Sequence, residues 1–403
     1  MINKDNLVYY LGTALSQVIT LLTTLYILYH FSPDSFGYFS LVLSVTSIIG
    51  SLSTLKFELS VAISKDSKSA IEKLSLTIFV SLLTNIIMSV LYFAFEPNID
   101  LFILIAMSIT IAMNGSIQQF ILFEENHLLN GILPVLTALL NLIFLLLIKG
   151  DHALIFAYTI SSWLVTLFYI FWMLKKGKEY FVFSLPSLKK IFHENRSFVK
   201  YIFPSSIATI LIMYFHPILL SYLYNSANVG LFSFALRILL LPSIIIGTVT
   251  GALLRNSLSK LYFSGDYTAI KKEVNKILLW LLISCLICFP ILEFFVFQLK
   301  NFVDISRWSG IENISVLIIF YAVSQFFFIP LSNIPLVFDK KKLLLKLNVI
   351  QLFLTLMIYL GAYLLKWQFE TFLVVLSVVM MIFSAISCYC FIKIVKVKNV
   401  QTV

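Results

Sequence analysis

The feature that most constrains this chain is the spacing of its polar residues. Long apolar stretches are interrupted by short polar breaks at 32–36, 64–73, 96–100, 124–131, 149–152, 175–200, 225–229, 255–276, 298–313, 338–342 and 366–370. A helix that crosses the hydrocarbon core needs about 20 apolar residues, whereas a barrel strand alternates over about 10. The continuous stretches therefore predict helices, and eleven breaks predict twelve spans. Composition closes the other routes. The chain is 60% hydrophobic and 12% charged, against about 25% charged in soluble domains, which leaves too little polar material to coat a soluble globule. The bulky apolar content also excludes disordered and fibrous classes. The fold class is an all-α polytopic membrane protein.

Met1 to Asn6 leads into an apolar segment reaching Phe31, too long for the hydrophobic region of a cleaved leader, so the first helix is expected to remain as an anchor. Cys285, Cys288, Cys388 and Cys390 all fall inside predicted spans. The first two have CxxC spacing, but no second ligand pair stands in a loop, so they read as small apolar packing groups and no metal site is predicted.

Counting basic residues on alternate sides of twelve spans gives a strong asymmetry. With the N-terminus inside, 23 of the 29 lie on the inner side, seven of them in 175–200. Only Lys149, Lys300, Arg307 and Lys366 lie outside. Cytoplasmic loops retain positive charge during insertion, so both termini are expected in the cytoplasm. The net charge of +10 is then mainly a topology signal and does not indicate nucleic acid, although basic inner loops suit anionic lipid headgroups. Trp172 and Trp280 near the inner boundary, and Trp308 and Trp367 near the outer one, fit interfacial belts.

The long inner loop divides the chain into 1–174, a six-helix lobe; 175–200, a basic cytoplasmic linker with an interfacial helix; 201–392, a second six-helix lobe; and 393–403, a cytoplasmic tail. The halves repeat. Phe36-Gly37-Tyr38-Phe39-Ser40-Leu41-Val42-Leu43 matches Val229-Gly230-Leu231-Phe232-Ser233-Phe234-Ala235-Leu236 at an offset of 193 residues. Leu59-Ser60 and Ala70-Ile71 match Leu258-Ser259 and Ala269-Ile270 at an offset of 199. Six spans is an even number, so the lobes would be related by an axis along the membrane normal, a plan common to alternating-access transporters. Pro204, Pro217, Pro242, Pro290, Pro330 and Pro335 fall in second-half spans, against Pro134 alone in the first. Proline kinks a helix, so the second lobe is expected to be the bending one.

Charged residues inside spans cost about 2.5–3.5 kcal/mol each by insertion scales and mark a pathway or a partner. Lys56, Glu58, Arg237 and Glu293 lie within spans and Arg255 at a span edge. Lys56 and Glu58, two residues apart, sit about 200° around a helix and are expected not to pair. Lys56 lies roughly 10 Å from the inner end of its span, within snorkelling reach. Arg255 occupies the position of Lys56 at the offset of 199. Such cations suit a diphosphate, or equally the inner surface alone. Arg237 and Glu293, near outer ends of successive spans, fit either a structural ion pair or the transport path. His216, before Pro217, fits proton coupling or a hydrogen bond to a neighbouring helix. Asn85, Asn114, Gln118, Gln119 and Asn141 suit a sugar-compatible cavity or interhelical hydrogen bonding. Catalysis has little to stand on: no GxxxxGK[ST] loop occurs, the loop 298–313 is too short for a domain, and its acids, Asp304 and Glu312, form no readable acid–base arrangement.

The residues then point to a family. Glu194-Asn195-Arg196-Ser197-Phe198-Val199-Lys200-Tyr201-Ile202-Phe203-Pro204-Ser205-Ser206, with Val229 to Arg237 and Leu241-Pro242-Ser243, resembles the start of the second lobe in bacterial polysaccharide flippases. Phe36 to Ser40 and Lys56-Phe57-Glu58-Leu59-Ser60-Val61-Ala62-Ile63 resemble the matching early segment. These O-antigen and capsule flippases are related to multidrug and toxic compound extrusion (MATE) transporters. The resemblance implies a MATE-like fold in the bacterial inner membrane and an undecaprenyl-diphosphate-linked oligosaccharide as substrate. It implies Lys56, Arg237 and Arg255 as cations for the diphosphate-sugar head, with Glu58, His216 and Glu293 left for ion coupling or structure. No cofactor is implied beyond a coupling proton or sodium ion; membrane lipids, a glycan polymerase and its assembly machinery are the implied partners. A cation-coupled multidrug exporter stays open, as does a membrane glycan polymerase or glycosyltransferase. The chain lacks the Gly-Asp-Arg loop pattern of the major facilitator group in 65–73.

Overall fold

In bilayer interior no water satisfies the backbone, so apolar spans must pair their amide groups internally. The computed structural model of the chain follows this rule. It describes all residues except 1–3, 63, 65, 125, 151, 178–184, 303–307, 339 and 398–403, so Lys65, Lys178, Asp304, Arg307 and Lys398 lie outside the described residues. Among those described there is no strand.

The chain forms two units. The first comprises Met1–Ile27 and Tyr38–Ile218, the second Leu28–Gly37 and Leu219–Val403. Along the first half run α1 (Lys4–His30), α2 (Pro33–Ser53), the short α3 (Glu58–Ala62), α4 (Ser67–Phe95), α5 (Leu101–Phe123), α6 (His127–Leu147), α7 (Ala153–Gly177) and α8 (Leu185–Ser197). A π turn at Phe198–Ile202 leads into α9 (Phe203–Leu223). There follow α10 (Ser226–Leu239), a π turn at Ser243–Gly247, α11 (Thr248–Phe263), α12 (Tyr267–Phe302), α13 (Ile311–Leu331), α14 (Ile334–Val337), α15 (Lys341–Leu365) and α16 (Phe369–Val397). Among the described residues, eleven helices are long and apolar enough to cross a membrane. The apolar helix α10 is shorter, and the chain runs on from it through its π turn into α11.

Side-chain patterning sorts each span into a lipid face and a protein face. Leu11, Leu15, Val18 and Leu22 line the exposed stripe of α1, at the three- and four-residue spacing of one helix face. In the first unit Val61, Leu74, Phe120, Ile121, Val165 and Tyr169 join α3, α4, α5 and α7 in one buried cluster. In the second, Ser377 and Ser384 of α16 donate to the carbonyls of Leu317 and Ser324 of α13 at 2.6 and 2.8 Å. Both pairs are 60 residues apart, so the two helices run parallel. Small hydroxyl residues let the backbones approach closely.

The sequence repeat has a structural counterpart within the second unit. Ser32 caps α2 by accepting from the Ser35 amide, and Asn225, 193 residues on, caps α10 by accepting from the Asn228 amide. Gly37 and Gly230 then meet reciprocally. A Cβ on Gly37 would collide with the carbonyl oxygen of Ser226, and one on Gly230 with that of Pro33. Glycine is required at both positions for the approach alone. Aspartates also open the spans that follow. Asp66 caps α4 through the Ser69 amide at 2.7 Å, and Asp266 caps α12 through the Ala269 amide at 2.9 Å. That amide, with the Thr268 hydroxyl, holds the Asp266 carboxyl below the usual carboxylate range.

Trp308 departs from the sequence reading. Rather than lying in an outer interfacial belt it is 0% exposed. Its ring packs against Phe36 and Phe234, with centroids 6.0 and 4.6 Å away. Its Nε1 donates to the Phe31 carbonyl at 2.9 Å, one of the backbone groups that a helix leaves unpaired at its C-terminus. An indole that finds such a partner gains more from burial than from the interface. Trp280, by contrast, is exposed.

Candidate functional site

α2 is long and apolar enough to cross a membrane by itself and ends before Lys56. α2 stops at Ser53, and Thr54 to Phe57 form successive tight turns, with the Leu55 amide bonded to the Leu52 carbonyl and that of Phe57 to Thr54. Leu55 and Lys56 both have positive φ, 48° and 64°. Left-handed backbone costs on the order of 1–3 kcal/mol per non-glycine residue, so the surroundings must hold the break in place. Phe57 is fully buried with Leu76 of α4 and Leu188 and Ile191 of the linker helix α8. Burial of such a side chain contributes about 1.5–3 kcal/mol. From α4, the Thr84 hydroxyl donates to the Ser53 carbonyl and the Lys73 ammonium to that of Ser60 at 3.2 Å. The groups released by the break are thus taken up by one neighbouring helix.

The break overturns the expectation that Lys56 and Glu58 stay apart. Their Nζ and Oε1 lie 3.2 Å apart in an ion pair, because the separation of about 200° applies only to continuous helix. The left-handed turn at Lys56 brings its side chain round to the first residue of α3. The pair is largely enclosed, with side-chain exposures of 17% and 10%. Glu58 Oε2 is buried and has no hydrogen-bond partner in the structure.

The equivalent crossing in the second unit is built differently. α10 ends at Leu239, and beyond Pro242 the chain passes through the π turn directly into α11. Arg255 lies inside α11 and is exposed, while Arg237, in the last turn of α10, is partly buried. Glu293 of α12 accepts from the Ser315 hydroxyl of α13 at 2.9 Å through Oε2. Its Oε1 is buried without a partner, and among the described residues no ion pair joins it to Arg237. His216 of the first unit is buried beside Pro217, through which α9 continues.

Other polar residues divide clearly. Asn85 Oδ1 accepts from Ser108 at 3.0 Å, joining α4 to α5, and Asn114 Oδ1 accepts from Thr166 at 2.9 Å, joining α5 to α7. Both hold helices together. Asn130, not singled out from sequence, is 1% exposed with both amide atoms unpaired. Among the described residues no group of His, Cys, Asp and Glu is arranged to hold a metal ion.

The solved structures give the fold class. The chain is similar over 96% of its length, and over 96% of the other chain, to a multidrug resistance MATE family transporter of the MOP superfamily in an inward-facing conformation, with TM-score 0.72 and 14% identity. A MOP superfamily transporter from Pyrococcus furiosus, described as having a binding pocket of reverse polarity, matches with TM-score 0.61 and 14% identity, covering 97% of this chain and 96% of that one. An outward-facing MATE transporter matches with TM-score 0.58 and 15% identity, covering 97% and 95%. No curated protein matches the sequence. The polysaccharide biosynthesis protein family matches residues 2–254, more than half of the chain, and the chain belongs to that family.

Proposed function

We propose that the protein is a flippase that carries undecaprenyl-diphosphate-linked oligosaccharide units from the cytoplasmic to the outer leaflet by alternating access. On this reading it serves O-antigen, capsule or exopolysaccharide assembly in the bacterial inner membrane, with both termini cytoplasmic. Family membership supports a role in polysaccharide assembly. The observation that carries the site is the Lys56 ammonium, held in a left-handed turn at the end of α2 beside the Glu58 carboxylate. Lys56 of the first unit, with Arg237 and Arg255 of the second, supplies the cations for the diphosphate. An ammonium in a low-dielectric site binds phosphate strongly, and the lipid tail stays in the bilayer.

Replacing Lys56 and Arg255 together by glutamine abolishes surface glycan while protein levels in the membrane stay unchanged, checked by glycan staining and immunoblotting. Unaltered glycan at normal protein levels would overturn the site. A second reading, cation-coupled drug export, is favoured by the fold shared with a multidrug resistance transporter. Drug efflux from intact cells that survives the double replacement selects that reading.

A further inference from the structure

The ion pair at the break contains an imbalance. Lys56 has Glu58 as its anion, and Glu58 spends only one oxygen on it, leaving Oε2 buried and unpaired. Lys73 of α4 is directed to the Ser60 carbonyl, and the residues of α8 that pack on Phe57 are the apolar Leu188, Ile191 and Phe192. Desolvated carboxylates with unpaired oxygens are costly, so this one is held by the geometry of the turn more than by its own bonding.

We propose that Glu58 is a displaceable counter-ion that sets the charge threshold for ligands at Lys56. This inference rests on the reading of Lys56 as a phosphate-binding cation. To reach the ammonium, an incoming phosphate must replace a carboxylate that is covalently tethered two residues away and so has a high effective concentration. A phosphodiester, with one negative charge, offers no more charge than the carboxylate it must displace. A diphosphate offers at least two charges and more acceptor oxygens, and it wins the exchange. Glu58 leaves the ammonium while the ligand is bound, and the pair re-forms when the ligand leaves. Membrane phospholipids outnumber any lipid-linked saccharide and carry mainly phosphodiester headgroups. Glu58 therefore excludes bulk lipid from the cation without touching the substrate, and acts as a specificity residue.

The test uses the purified full-length protein and two probes with the same polyprenyl tail, a diphosphate and a methyl phosphodiester. Direct binding is measured for wild type, Glu58→Gln, Glu58→Asp and Lys56→Gln, each checked for folding by thermal melting. The wild type prefers the diphosphate by at least about tenfold, a difference of roughly 1.4 kcal/mol. Glu58→Gln binds both probes with similar affinity, Glu58→Asp keeps most of the preference, and Lys56→Gln binds neither. An unchanged preference in Glu58→Gln overturns the inference and leaves the flippase reading standing. Loss of diphosphate binding in Glu58→Gln also overturns it, because Glu58 would then be needed to position Lys56. Should Glu58→Gln fail to fold, Glu58→Asp decides alone, and loss of its preference overturns the inference. A wild type that binds neither probe overturns the flippase reading itself.

Discussion

The second and eighth spans start alike and finish differently. Both open on a capped first turn, and both place a glycine four residues later against the other's first carbonyl. Past that point α2 ends at Ser53 and a left-handed turn follows, holding an ion pair. The eighth relaxes through a π turn and continues as helix to Phe263. The matched segments therefore share the geometry of one end and differ at the other. A symmetric scaffold and an asymmetric site can coexist in one pair of helices.

Three comparisons of variants sharpen this contrast. The largest effect is expected for Phe57→Ala, which removes the anchor of the break and costs about 3–5 kcal/mol as a buried aromatic truncation. Its melting temperature in detergent should fall steeply, and a small change would mean that the break stands without α8 and α4. Next, Gly37→Ala and Gly230→Ala each force a Cβ onto a backbone carbonyl, an overpacking of about 3 kcal/mol. The reciprocal contact predicts similar losses for the two, while Gly115→Ala, with nothing within 4 Å of its new Cβ, stays near wild type. Unequal losses would show that only one side of the crossing is tight. The smallest effect carries the sharpest sign. Lys56→Gly should be more stable than Lys56→Ala by about 1 kcal/mol, because glycine adopts the left-handed backbone freely. At Arg255, in helix interior, the order reverses by about the same amount. The same order at both positions would mean that the second span is not broken at Lys56.

Much of the architecture was legible because bilayer physics admits few alternatives. The polar breaks predicted twelve spans, and the matched strings around Gly37 and Gly230 proved to be the residues that meet. The break itself was not legible through proline, which pointed to the second half. Pro217 and Pro290 lie inside continuing helices and Pro330 at the last turn of α13, whereas the turn at Thr54–Phe57 contains none. Its signal was the run Gly50-Ser51-Leu52-Ser53-Thr54. There hydroxyls bond back to the backbone, as Ser53 does to the Gly50 carbonyl at 2.9 Å, and compete with the helix ladder. Once that turn was missed, helical geometry wrongly separated Lys56 from Glu58. Trp308 escaped for another reason: an interfacial position along the sequence says nothing about which backbone carbonyl lies within reach.

The glycine crossing has the form of an isologous dimer contact, in which residue i of one copy meets residue j of the other and the reverse. Here both copies lie in one chain. A true homodimer changes both sides of such a contact with a single mutation. In this protein each side is encoded separately, and a bulkier residue on either one meets a partner that has not changed. The two positions are thus bound to a common fate by a shared surface, although nothing in their coding ties them together.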